Sequence, residues 1–136
     1  YDESFQTMRA AVDAGSDCRG RLIEVAHALF EFAVADEDLM RLVFATVFAA
    51  REEVPPDSID PARRRRNFEL IRDLLVAGQL SGDLTSGHDP IDLAHAIFGA
   101  ISHSIRMHLF HPGDPLDRRR AERVVALFLD GARPRH

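Results

Sequence analysis

The chain has no lysine; all 17 of its basic residues are arginine. It has one cysteine, Cys18, which excludes an internal disulfide framework and any zinc site built on cysteines. No apolar run reaches the roughly 18–20 residues that a membrane span needs, and no signal peptide opens the sequence. The expectation is a cytoplasmic protein with no membrane partner. Strand signals are nearly absent: there is no sustained alternation of apolar and polar residues, and β-branched residues are scattered. Catalytic signatures are missing as well. Without a glycine-rich phosphate loop, a Gly-x-Ser-x-Gly elbow or a pairable nucleophile, the sequence makes no positive case for an enzyme or a cofactor. A formal charge of -5 argues against nucleic acid as a partner of the whole surface.

What is present is apolar spacing at three and four, in a chain of 136 residues that suits one domain with one core. The pattern predicts an all-α fold, an antiparallel bundle of five to six helices. Residues 1–14 carry Phe5, Met8 and Val12 on one side and stop at Gly15. The chain opens on Tyr1, and we expect this segment to continue a helix from a preceding part of the protein. Ser16 and Asp17 can cap a helix over 18–35, with Leu22, Ala26, Leu29, Phe30 and Ala33 as its stripe and Glu24 and Glu31 opposite. Asp36 caps the next, over 37–51. Pro55-Pro56 breaks the chain; Asp60-Pro61 restarts a helix to about residue 76, with Asn67, Phe68, Ile71, Leu74 and Leu75 inward. Gly78, Gly82 and Gly87 mark the loop that follows. Asp89-Pro90 opens the longest apolar helix, to residue 110, and the last helix spans about 116–129 before Gly131.

The last two helices hold more apolar surface than one core can use. On 91–110 the main stripe is Leu93, Ala94, Ile97, Phe98, Ile101, Ile105 and Leu109. The other side offers His95, Ala96, Gly99, Ser102, His103 and Arg106, with little charge and several small residues. Val124, Leu127 and Phe128 extend the apolar part of the final helix. The surplus predicts a four-helix interface in a homodimer, with His95, Ala96, Gly99, Arg106, Val124, Leu127 and Phe128 at the contact. A central helix enclosed by its own neighbours is the other reading.

The helix over 37–51 also has two apolar faces, and Met40, Phe44 and Phe48 line one of them at i, i+4, i+8. These side chains could line a gap for an apolar ligand or fill a core. His27 and His103, at the edges of apolar stripes, could each hydrogen-bond a ligand or satisfy a core partner. Glu24-Val25-Ala26-His27 and Asp92-Leu93-Ala94-His95 match the spacing of carboxylate-bridged metal helices, but helical phase puts both acids off their stripes. His108 and His111 lack an obvious third metal ligand, and favouring the helix dipole explains them better. Arg63 to Arg66 and Arg118 to Arg120 point in several directions around their helices and read as solvated first turns.

Three stretches carry a resemblance. They are Leu29 to Phe44 around Ala35-Asp36-Glu37-Asp38, the turn Gly78-Gln79-Leu80-Ser81-Gly82-Asp83-Leu84, and Asp89-Pro90 with the small-residue helix through Gly99-Ala100, followed by a helix closing on Leu127-Phe128-Leu129-Asp130-Gly131. In order and spacing they resemble the C-terminal regulatory domain of the TetR/AcrR family of transcriptional repressors, over nearly all of the chain. The resemblance implies a single effector-binding and dimerisation domain of a bacterial regulator over residues 1–136. The helix-turn-helix DNA-binding domain would stand N-terminal to it and outside this chain. It implies a small, mostly apolar effector in a pocket drawn from His27, Phe30, Met40, Phe44, Phe48, Phe68, Ile71, Phe98, Ser102 and His103, and the release of DNA on binding. A metal protein or enzyme using the histidines, and a dimerisation module with a filled core, are the alternatives.

Overall fold

The structure, a computed structural model, describes Gln6, Ala10 and residues 17–48, 61–111, 113 and 115–131, without the side chains at 46–48, 61–65 and 67. Over these residues it is all-helical, with no strand. Five helices follow one another: α1 (Cys18–Ala35), α2 (Glu37–Phe48), α3 (Pro61–Ser81), α4 (Pro90–Phe110) and α5 (Arg118–Asp130). None of the described helices is long and apolar enough to cross a membrane. The helix expected over 1–14 lies outside the described residues except for Gln6 and Ala10, both helical. The Pro55-Pro56 break and the Asp60 cap lie outside them too.

Aspartate starts four of the helices. Asp17 accepts from the Gly20 N–H at 2.7 Å, Asp36 from Leu39 at 3.1 Å, Asp89 from Ile91 at 2.8 Å and Asp117 from Arg120 at 2.9 Å. Each satisfies a donor that has no partner within its helix and contributes about 0.5–2 kcal/mol. Asp117 corrects the expected start of the last helix. Capping by Asp117 places the first helical residue at Arg118, and Leu116 before it is buried in the core instead.

The core is organised around α1, which touches all four of the other helices. Leu22, Val25, Ala26, Phe30 and Ala33 are fully buried there. Burial extends beyond the expected stripe to Val25 and Ala28, because neighbours cover α1 on several sides. α4 also touches all four others, and its expected stripe faces inward: Ala94, Ile97, Ile101, Ile105 and Leu109 are buried. The opposite side of α4 is not enclosed, which separates it from α1. Ala96, Gly99, Ala100, His103, Arg106, Met107 and Phe110 are all exposed.

The end of α3 overturns an expectation. The helix continues to Ser81, and Gly78 sits inside it rather than in the loop. A Cβ at Gly78 would lie 2.9 Å from Cys18 Sγ and 2.9 Å from Leu84 Cδ1, so the glycine is there for close approach and not for a turn. The turn falls to Gly82, whose φ of 88° is the left-handed conformation that glycine adopts without strain. The Gly82 N–H returns to the Gln79 carbonyl at 3.3 Å and the Leu84 N–H to that of Gly78 at 3.0 Å. Gln79 Nε2 then donates to the carbonyls of Thr85 (3.1 Å) and His88 (2.8 Å), pinning the loop that leads into α4. The spacing of Gly78, Gln79, Gly82 and Leu84 is thus a helix stop, a loop clamp and a packing notch in one.

Two ion pairs tie α1 to α5: Arg19 with Asp130 at 3.0 Å, and Glu24 with Arg118. Both Glu24 and Arg118 were expected on solvated faces. The crossing of the two helices, which are far apart in sequence, brings them together. The Arg118 hydrogen bond holds the Glu24 carboxyl below its ordinary value, with the guanidinium charge adding to the effect.

Two outcomes follow from this packing. Gly78→Ala should destabilise the fold by about 1–3 kcal/mol in urea unfolding despite its better helix propensity, because the notch is already full. Glu24→Gln should be less stable than the parent at neutral pH. Since the folded carboxyl titrates below its unfolded value, the difference should shrink as pH falls from about 4.5 through the depressed value and vanish once Glu24 is protonated. The pair is partly exposed, so added salt should reduce the difference too.

Candidate functional site

The N-terminal half of α2 is tied to α4 by polar contacts. Glu37 Oε1 lies 3.3 Å from His108 Nε2, and Arg41 donates from Nε to the Leu109 carbonyl at 3.4 Å while pairing with Asp38 at 3.2 Å. His108 Nδ1 is buried with no hydrogen-bond partner among the described residues. Farther along, the two helices leave a groove of about 660 Å³ between them. Phe44, Met107 and Phe110 supply apolar wall, and His103, Arg106 and His111 supply polar groups. The volume is within the range of small-molecule sites, roughly 300–1,000 Å³.

A second cleft, about 740 Å³, lies where the start of α1, the α3–α4 loop and the end of α5 meet. Its polar groups are already engaged in holding those ends together. Asp17 caps α1, Asp83 accepts from the Cys18 N–H at 3.4 Å, and Arg19 pairs with Asp130. Beside it, burial, Asp83 and Asp17 push the Cys18 thiol up to about 11, the reverse of what an activated nucleophile needs.

Of the ten side chains expected around an effector, the structure brings Phe44 and His103 to the α2–α4 groove. Phe30 and Ile71 are fully buried in the core. Met40, Phe68 and Phe98 are half-buried against it, and Ser102 is half-buried on α4. Phe68 meets Phe98 edge-on at 6.3 Å between ring centres. His27 lies 3.2 Å from Glu31, one turn along its own helix. The Phe48 side chain lies outside the described residues.

Of the expected interface residues, Ala96, Gly99 and Leu127 are exposed, and Val124 and Phe128 are half-buried. His95 is exposed but rests against Phe68, with ring centres 4.7 Å apart. Arg106 is exposed and lines the groove. Met107 and Phe110 were missed as groove residues, although helical spacing from His103 (i+4 and i+7) puts them on the same side of α4. Only the position of α2 shows that this side borders a groove. Among the described residues no group of three His, Cys, Asp or Glu could hold a metal ion.

Compared with known protein families, with curated proteins and with solved structures, the chain matches none. The functional reading therefore rests on the residues and their geometry.

The Cys18 environment predicts a chemically quiet thiol. Native protein at pH 8 should be alkylated by iodoacetamide at least tenfold more slowly than the same chain in urea, and Asp83→Asn should narrow that gap by removing a neighbouring negative charge.

Proposed function

We propose that this chain is the effector-binding and dimerisation domain of a TetR-like transcriptional repressor. In this reading two copies meet through α4 and α5, a small, mostly apolar molecule binds each copy, and DNA is contacted by a helix-turn-helix domain N-terminal to this chain. Binding would bias the pair toward an arrangement unable to match the operator half-sites, at a coupling of about 1–3 kcal/mol.

The observation that carries the proposal is the bare face of α4 around Gly99. A Cβ placed there meets nothing within 4 Å among the described residues, so none of them explains why the middle of a 21-residue helix holds a glycine. Glycine there costs about 1 kcal/mol relative to alanine. Close approach by a second helix is a reason for keeping it. Beside it on the same helix Ala96 and Ala100 are exposed, and Leu127 on α5 is 65% exposed. Apolar surface left open beside small residues suits a two-fold contact between like helices.

A filled centre favours a second reading. Phe30 and Ile71, both expected to border an internal pocket, have no exposed surface. A dimerisation module without an effector accounts for that. The effector reading accounts for it by moving the site outward to the α2–α4 groove.

Sedimentation of Gly99→Trp tests the interface. The parent chain should run as a dimer at micromolar concentration, and the variant as a monomer with unchanged helical circular dichroism, because position 99 is exposed on the surface of α4. Gly99→Ala should raise the stability of the monomer by about 0.5–1 kcal/mol, opposite in sign to Gly78→Ala. A monomeric parent would overturn the proposal.

A further inference from the structure

α4 carries two formal charges in its 21 residues, Asp92 and Arg106, and each stands seven positions from Gly99, one on either side. Seven residues return a helix to within about 20° of the same direction, so all three share one face. All three are exposed, as are His95, Ala96 and His103 around them. The dipole of α4 favours an acid in the first turn and a base toward the end, but it is indifferent to the face on which they lie. Both lie on the face where, among the described residues, nothing approaches Gly99. Charges of opposite sign thus bracket a strip whose centre is small, the pattern of an interface with a polar rim.

We infer that α4 meets α4 of a second copy antiparallel, crossing at Gly99, with Asp92 of each copy facing the partner's Arg106. This inference rests on the dimer reading and supplies its orientation and register. In a two-fold contact between antiparallel helices, a residue seven places before the crossing meets the one seven places after it; between parallel helices it meets its own mate. Parallel packing would set acid against acid and arginine against arginine. Antiparallel packing turns both into pairs of opposite sign, and such pairs fix register because like charges facing across an interface are costly. Arg106 is also engaged within its own chain, and its five donors can serve both contacts. At the shallow crossing of helix bundles, about 20°, charges about 10 Å along each helix from the crossing stay within side-chain reach of one another.

Cysteine pairing reads the register directly. Cys18 is buried and its thiol is pushed up to about 11, which leaves an introduced surface thiol to react alone. Mixed Asp92→Cys and Arg106→Cys chains should form a disulfide-linked dimer under mild oxidation, since their heterodimer places the two cysteines together and keeps one native pair. Neither variant should link by itself. Like positions in the antiparallel pair lie about 21 Å apart, far beyond the roughly 7 Å between Cα atoms that a disulfide spans. Sedimentation gives an independent reading. Asp92→Arg and Arg106→Asp should each raise the dimer dissociation constant at least about tenfold, and the chain carrying both should return to within about threefold of the parent. Self-linking of either cysteine variant would overturn the register in favour of parallel helices. A dimeric parent whose mixed cysteine variants fail to link, or whose dimer ignores the charge exchange, would overturn it too and leave the dimer reading standing. A monomeric parent would sink both.

Discussion

The structure depends on one constraint: α1 has to be covered on more than one side. Leu22, Val25, Ala26, Phe30 and Ala33 retain no exposed surface, and no single neighbouring helix could hide them all. Burying side chains of this size is worth about 1.5–3 kcal/mol each for the larger ones, and that energy draws α2, α3, α4 and α5 onto one helix. α4 is then used on one face only. Its inner side completes the cover of α1, and its outer side exposes small and apolar residues such as Ala96, Gly99, Ala100, Met107 and Phe110.

That division organises the functional reading. The outer side of α4 carries two neighbouring regions of different character. Around Gly99 it is flat and small, suited to close helix contact. A turn and more later, where α2 leans across, it forms a groove with basic and apolar walls. α2 is the least embedded of the helices; among the described residues it touches only α1 and α4. Its attachment combines polar contacts through Glu37, Arg41 and His108 with the packing of Met40 and Phe44 against the core. In the proposed reading, an effector site beside a two-fold contact on the same helix would give a short path between binding and the relative position of two copies.

Much of the fold was legible from particular residues. Asp17, Asp36 and Asp89 were identifiable as caps because a short acidic side chain before an apolar-periodic run satisfies free backbone donors. The inner stripe of α4 followed from spacing alone. The candidate site was legible only in part. Phe44 and His103 reached the groove, whereas Phe30 and Ile71 went to the core, since an apolar stripe looks the same whether it meets a ligand or another helix. Gly78 was misplaced for a related reason. A glycine that stops a helix and one that lets a side chain approach are the same letter, and only Cys18 Sγ and Leu84 at the place of its missing Cβ distinguish them.

By itself the sequence determined the helical class, the caps at Asp17, Asp36 and Asp89 and the inner stripe of α4, because these depend on residues within a turn or two of one another. Tertiary structure alone decided which helices cross. Glu24 and Arg118 stand 94 residues apart, Arg41 and Leu109 stand 68 apart, and nothing in local spacing pairs them. The same holds for the groove, whose two walls come from α2 and α4. Its charge and shape arise from how the chain covers α1, a requirement that no local stretch of sequence expresses.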